Sequence, residues 1–166
     1  MDLHLTRLKE MHPLISASTA LEYAHRSALG LGRHGHVPGA AMEISLPDEA
    51  RQGNLHWLAT DPAEAAQLDY HRITEDTAEA ITLALVHAAN GWVARRRLQR
   101  GESADWLLSD PDRNLVALEV SGIDESDTGR RRLREKLRQV RQSQAASQKA
   151  ACVVELRRPR SRLALA

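Results

Sequence analysis

Leu115-Val116-Ala117-Leu118-Glu119-Val120-Ser121-Gly122 is the stretch on which the fold turns. Seven residues run almost without polar relief, and only Glu119 breaks the apolar pattern. A run of this length and kind is the mark of a central strand covered on both faces. Gly122 ends it. Downstream, Arg130–Gln148 carries a narrow stripe of Leu133, Leu137 and Val140 at helical spacing. Ala151–Leu156 is then a second buried strand, closed by Pro159. Strand, helix and strand in this order predict a crossover between parallel neighbours.

Working outward, Ser103–Ser109 reads as a strand, and the turn composition of residues 110–114 joins it to the central run as a hairpin. Before it, Ala78, Ile81, Leu85, Ala88 and Trp92 repeat at helical spacing. They predict a long helix from Thr74, as N-cap, to about Leu98, with Arg95, Arg96 and Arg97 crowding its end. Nearer the N-terminus, Ile15–Leu31 reads as a helix, Val37–Leu46 as a strand and Asn54–Ala59 as a short strand paired with it. The predicted order is α-β-β-α-β-β-α-β. The expected class is α/β (α+β), a mixed β-sheet flanked by helices. The 166 residues suit a single domain. It would comprise an N-terminal helix and hairpin (1–70), a core (74–157) and a basic tail (158–166).

The formal net charge of +1 hides a split. Residues 1–90 hold 6 basic and 12 acidic groups, a net of −6, while residues 91–166 hold 17 and 10, a net of +7. Such asymmetry fits either a polyanion-binding face or an acidic half packed beside a basic one. Aromatic residues make up only 3%, with no Phe, which disfavours base-stacking platforms. The single cysteine, Cys152, permits no intramolecular disulfide, and its apolar setting suggests a small buried hydrophobe. A reducing, cytoplasmic location is expected, with no membrane segment.

Asp105 and Glu119 are the residues most suggestive of chemistry. A carboxylate inside an apolar strand is costly unless it is paired or binds a cation. Two such groups meeting at one sheet end would suit Mg²⁺, which accepts one or two carboxylates and keeps several waters. Ser121 projects from the same face as Glu119. The alternatives are that Asp105 caps a turn or pairs with an Arg, and that Glu119 pairs with an interior Arg. His34-Gly35-His36, with His12 or His25, is a weaker candidate for a transition metal.

Asp105, a turn, and Glu119-Val120-Ser121 at the end of a buried strand resemble the PD-(D/E)xK nucleases, the restriction-endonuclease-like superfamily, as a divergent bacterial member. The resemblance spans residues 74–157. It implies metal-dependent hydrolysis of nucleic-acid phosphodiesters, with Asp105 and Glu119 holding Mg²⁺ and an acid of the preceding helix, Glu75 or Glu79, adding to the metal site. The chain departs from the pattern in three places. Ser121 stands where the family has lysine, Ala104 where it has proline, and two strands rather than three lie between helix and crossover. In this superfamily the lysine is sometimes supplied by the following helix. Lys136 is the only lysine there, although as a residue of a basic helix it could simply be solvated. Gln139 resembles the helix glutamine of RecB-like members, with Ser143 replacing the tyrosine that follows it. Arg95, Arg96, Arg97, Arg131, Arg134, Arg138 and Gln139 are then the expected nucleic-acid contacts. The alternative is a catalytically inactive member serving as a structural, assembly or nucleic-acid-binding subunit, in a homo-oligomer or a larger bacterial complex.

Overall fold

A computed structural model describes residues 1–61, 63, 64, 68–124 and 128–166. A short strand β1 (Asp2–His4) leads through a single 3-10 turn into α1 (Leu8–Met11) and α2 (Ala17–Arg33). The hairpin β2 (Ala40–Ser45) and β3 (Ala50–His56) follows, then the long helix α3 (Tyr70–Asn90). Three strands come next: β4 (Val93–Arg97), β5 (Trp106–Ser109) and β6 (Leu115–Ile123). Helix α4 (Gly129–Val140) and strands β7 (Gln148–Glu155) and β8 (Arg160–Leu165) complete the chain.

Among the described residues eight strands form one mixed sheet in the order β1-β3-β2-β8-β7-β6-β5-β4. As the apolar runs predict, β6 and β7 are parallel neighbours joined through α4, paired from Val116↔Gln148 to Ile123↔Glu155. The alternation of β6 divides the core. Val116, Leu118 and Val120 join the large cluster beneath α2 and α3, with Ile81, Leu85 and Trp106. Ala117 faces the other way, into a smaller cluster with Ala151 and Val140, against which Leu133 and Leu137 of α4 pack. Among the described residues no helix is long and apolar enough to cross a membrane.

Four expectations are corrected. Asp69, not Thr74, caps α3, its side chain accepting from the His71 amide at 2.9 Å. The same helix stops at Asn90 rather than near Leu98, because Gly91 adopts φ +67 and closes it with a left-handed cap. Arg95, Arg96 and Arg97 therefore lie on an edge strand, not a helix end, and three strands precede the crossover instead of two. Helix α4 stops at Val140, and Gln148 already belongs to β7. The basic tail is strand β8, seated between β7 and β2, with Ser161 and Leu163 buried between exposed or half-buried neighbours. The observed element order thus has additional strands at Asp2–His4, Val93–Arg97 and Arg160–Leu165.

Candidate active site

The β5–β6 ladder pairs Trp106 with Leu118, and continuing it by one residue sets Asp105 opposite Glu119. Two further bonds fix Asp105. Its amide donates to Leu118 O at 3.0 Å, and its Oδ2 accepts from the Val120 amide at 2.8 Å. Glu119 and Ser121 share the face of β6 that α4 covers, and Glu119 is 2% exposed. From α4, Lys136 Nζ donates to Glu119 Oε1 at 2.6 Å and to Gln139 Oε1 at 3.3 Å. One turn earlier, Arg132 Nε donates to Ser121 Oγ at 3.0 Å. The second oxygen of Glu119, Oε2, is buried and has no hydrogen-bond partner. A buried carboxylate oxygen left without a donor is costly, and a bound ion or water is one way to relieve it. Glu155 Oε2 is the other such carboxylate oxygen among the described residues.

Asp105, Ser121, Arg132 and Lys136 border a cavity of about 110 Å³, walled also by Glu79 and Arg97 and edged by Glu75. Glu119, held by Lys136, adjoins this lining without being part of it. Gly122 belongs to its lining, and only glycine fits there: a Cβ at this position would lie 2.4 Å from Thr74 O, so the end of β6 can abut the start of α3. Burial, then the neighbouring charge of Glu119, push the Asp105 carboxyl up to about 6. The Val120 amide and the Lys136 ammonium act in the opposite sense. Asp105 and Glu119 therefore form a pair that disfavours two uncompensated negative charges.

Glu79 is differently placed. Its Oε1 accepts from Arg97 Nη2 at 2.6 Å, and its Oε2 from Tyr23 OH at 2.5 Å and Trp106 Nε1 at 2.8 Å. Arg97 Nη1 also donates to Tyr23 OH at 2.9 Å. Burial holds Glu79 above the ordinary carboxylate range, against the pull of Arg97. Both of its oxygens are engaged, so Glu79 is a wall of the cavity and not an open ligand. Glu75 is exposed at the rim and has no hydrogen-bond or ion-pair partner among the described residues. No group of three or more His, Cys, Asp or Glu side chains gathers at metal-binding spacing among the described residues. A cation at the cavity would rest on Asp105 and Glu119, with water completing its shell. That donor set fits Mg²⁺, and the unpartnered Glu119 Oε2 is the atom that would receive it.

The structure thus brings together Asp105, Glu119, Lys136 and Gln139, and sets Glu75 and Glu79 on the cavity border. Arg131, Arg134 and Arg138 are exposed on α4, away from its packed stripe. Tyr23 and Trp106 are the residues that sequence reasoning missed. Trp106 follows Asp105 directly, but Tyr23 lies 56 residues from the acid it binds and carries no local signal. The histidines do not converge. His12 is buried, its Nδ1 accepting from the Ala94 amide and its Nε2 donating to Leu83 O, and burial lowers its pKa to about 4. His34 pairs with Asp124, His36 with Leu156 O and His25 with Glu64. Comparison with protein-family models, with characterised proteins and with solved structures finds no match to this chain.

Proposed function

We propose that this chain is a metal-dependent nuclease of the PD-(D/E)xK kind, hydrolysing phosphodiester bonds in nucleic acid at the Asp105–Glu119 cavity. The observation that carries this is Glu119, buried in a central strand with Lys136 on one oxygen and nothing on the other. The succession α3-β4-β5-β6-α4-β7 supports it, since three strands precede the crossover, as in that superfamily. In this reading Lys136 replaces the lysine that Ser121 cannot supply.

Asp105 and Glu119 would hold Mg²⁺, which supplies charge stabilisation at the phosphate and a more acidic water. The remaining work belongs to the chain. Lys136 is oriented by Glu119 and Gln139, so its ammonium is fixed beside the acids, where it can position the attacking water. Arg132 and Arg97 add positive charge to the cavity wall, opposite the charge developing on the phosphate. Glu119 is buried and Asp105 half-buried, so their charge interactions are stronger than they would be in open water. Arg131, Arg134 and Arg138 of α4 and Arg95, Arg96 and Arg97 of β4 would contact the backbone without reading sequence.

The test is cleavage of labelled DNA and RNA by purified protein with Mg²⁺ or Mn²⁺. Cutting is expected, and Glu119→Ala abolishes it. Cutting that survives this substitution, or none under any metal, sinks the hydrolytic reading.

A second reading is a nuclease-fold module that binds without cutting. The engagement of Glu79 by Tyr23, Arg97 and Trp106 favours it, because it removes one acid from the metal set that the superfamily leads one to expect. Isothermal titration with Mn²⁺ separates the two: binding that is lost in Glu119→Gln supports the nuclease, and no binding supports the module.

A further inference from the structure

We propose that the groove between the start of α2 and the edge strand β4 holds the sugar-phosphate backbone of single-stranded nucleic acid and leads it to the Asp105–Glu119 cavity. The destination of the strand rests on the nuclease reading; the binding does not.

The groove has a volume of about 380 Å³. Arg72 of α3 and Arg95, Arg96 and Arg97 of β4 line it, facing Ser16 and Thr19 at the first turn of α2. In a regular strand three consecutive arginines would alternate between opposite sides. Here the pairing slips between Ala94, opposite Leu108, and Arg96, opposite Leu107. Arg95 is the inserted residue of a β-bulge, the device by which edge strands re-aim side chains. Arg96 and Arg97, opposite Leu107 and Trp106, still alternate, and all three arginines contribute to the groove's lining.

Charge points to the ligand. The one acid on the lining is Glu22, and it is already ion-paired with Arg26. Arg96 is held by both oxygens of Glu102, at 2.8 and 3.0 Å, and Arg97 by Glu79. Arg72 contacts Asp76 at 3.1 Å yet remains more than half exposed. Arg95 is exposed and has no partner among the described residues. Three of the four guanidinium groups are thus balanced by acids, and Arg95 is the cation left free to meet a phosphate.

Shape narrows the class. Tyr23 and Trp106 form part of the lining but are 2% and 3% exposed, so no ring is free to stack on a base. Recognition is left to the phosphates. A groove of this size suits a ligand of nucleotide scale rather than the broad face of a duplex. Arg97 lines both this groove and the Asp105 cavity, so the two are neighbours across that side chain. A flexible strand can follow that turn.

The experiment is fluorescence anisotropy of the full chain in EDTA, which prevents metal-dependent cutting. The probes are fluorescein-labelled oligo-dT, oligo-U of equal length and a DNA hairpin duplex. Both single strands are expected to bind more tightly than the duplex. Arg95→Glu should weaken single-strand binding about tenfold and lower the slope of log affinity against log salt by roughly 0.7, the loss of one phosphate contact. Arg51→Glu, on β3 near the far edge of the sheet, makes the same charge change and should leave binding within twofold. Equal losses in the two variants, an unchanged Arg95→Glu, or duplex binding as tight as single-strand binding would each overturn the proposal. Circular dichroism of Arg95→Glu checks its fold, and Arg95→Ala, a milder change on an exposed side chain, gives the same ranking if the glutamate variant unfolds. Groove binding without cleavage in Mg²⁺ would refute hydrolysis alone; cleavage indifferent to Arg95 would refute the groove alone.

Discussion

Two buried glutamates lie within one residue's reach of the same cavity, and they are satisfied to different degrees. Glu79, on α3, has donors on both oxygens: Arg97 on one, Tyr23 and Trp106 on the other. Glu119, on β6, has Lys136 on one oxygen and none on the other. A carboxylate with donors on both oxygens holds elements together. One that leaves a buried oxygen bare bears a cost that a bound cation would relieve. The comparison separates strut from site, although both residues look alike in sequence.

The sharpest way to break this comparison is to replace each acid in turn, Glu119 by its amide and Glu79 by alanine. Glu119→Gln should reduce Mg²⁺-dependent cleavage on the order of 10³-fold, as expected when a cation site is lost, while the thermal unfolding midpoint stays within a few degrees. Glu79→Ala should show the reverse ranking. Removing one partner of a buried pair strands Arg97, Tyr23 and Trp106 and should cost about 3 kcal/mol in urea unfolding. If Glu79→Ala is neutral for stability and lethal for cleavage, the two roles are exchanged.

A smaller effect tests whether Lys136 and Glu119 act as one unit. In a double-mutant cycle, Lys136→Met combined with Glu119→Gln should cost less stability than the two single changes added, by about 1–3 kcal/mol. Additivity would mean that the 2.6 Å contact contributes nothing.

The pH dependence offers a comparison of opposite signs. Asp105 titrates near 6 in the folded chain against an ordinary 3.8, so the native state binds more protons across that window. Its contribution is best below about 4 and is lost as pH rises through about 6. His12 titrates near 4 against an ordinary 6.5, so its contribution is full above 6.5 and is lost as pH falls toward 4. Urea unfolding of Asp105→Asn between pH 4 and 7 should gain on the parent as pH rises. A His12→Asn chain should instead lose less than the parent on acidification. Parallel curves would mean that neither burial is as drawn. The smallest effect is chemical: Cys152 is fully buried and its thiol is pushed up to about 12, so iodoacetamide should leave it unmodified until the chain unfolds.

The crossover was legible because burial on both faces leaves an unmistakable apolar run, and because Leu133, Leu137 and Val140 sit at helical spacing. Lys136 was legible for a different reason. With three lysines in the chain, its place one turn after Leu133 left few alternatives. The end of α3 was hidden because apolar spacing continues through Trp92 while the stop depends on the left-handed backbone of Gly91. Strand β8 was hidden because its arginines mask a period-two pattern in Ser161 and Leu163. The Glu79 network could not be read at all: Tyr23, Arg97 and Trp106 come from three elements, and only the packing of α2 on α3 brings the first of them in.

Strand β8 has one more consequence. It comes after the other seven described strands in sequence but is the fourth in the sheet, between β2 and β7. During synthesis the other seven strands leave the ribosome first, as two partial sheets whose inner edges have no neighbour. Each is an open ladder of amide and carbonyl groups, the kind of edge that invites pairing with another chain. Arg160 and Arg162 arrive to meet Glu43 and Glu155, and the seam closes. The sheet is therefore completed from its middle, and the interval before that closure is when a nascent chain of this protein is most exposed to misassembly.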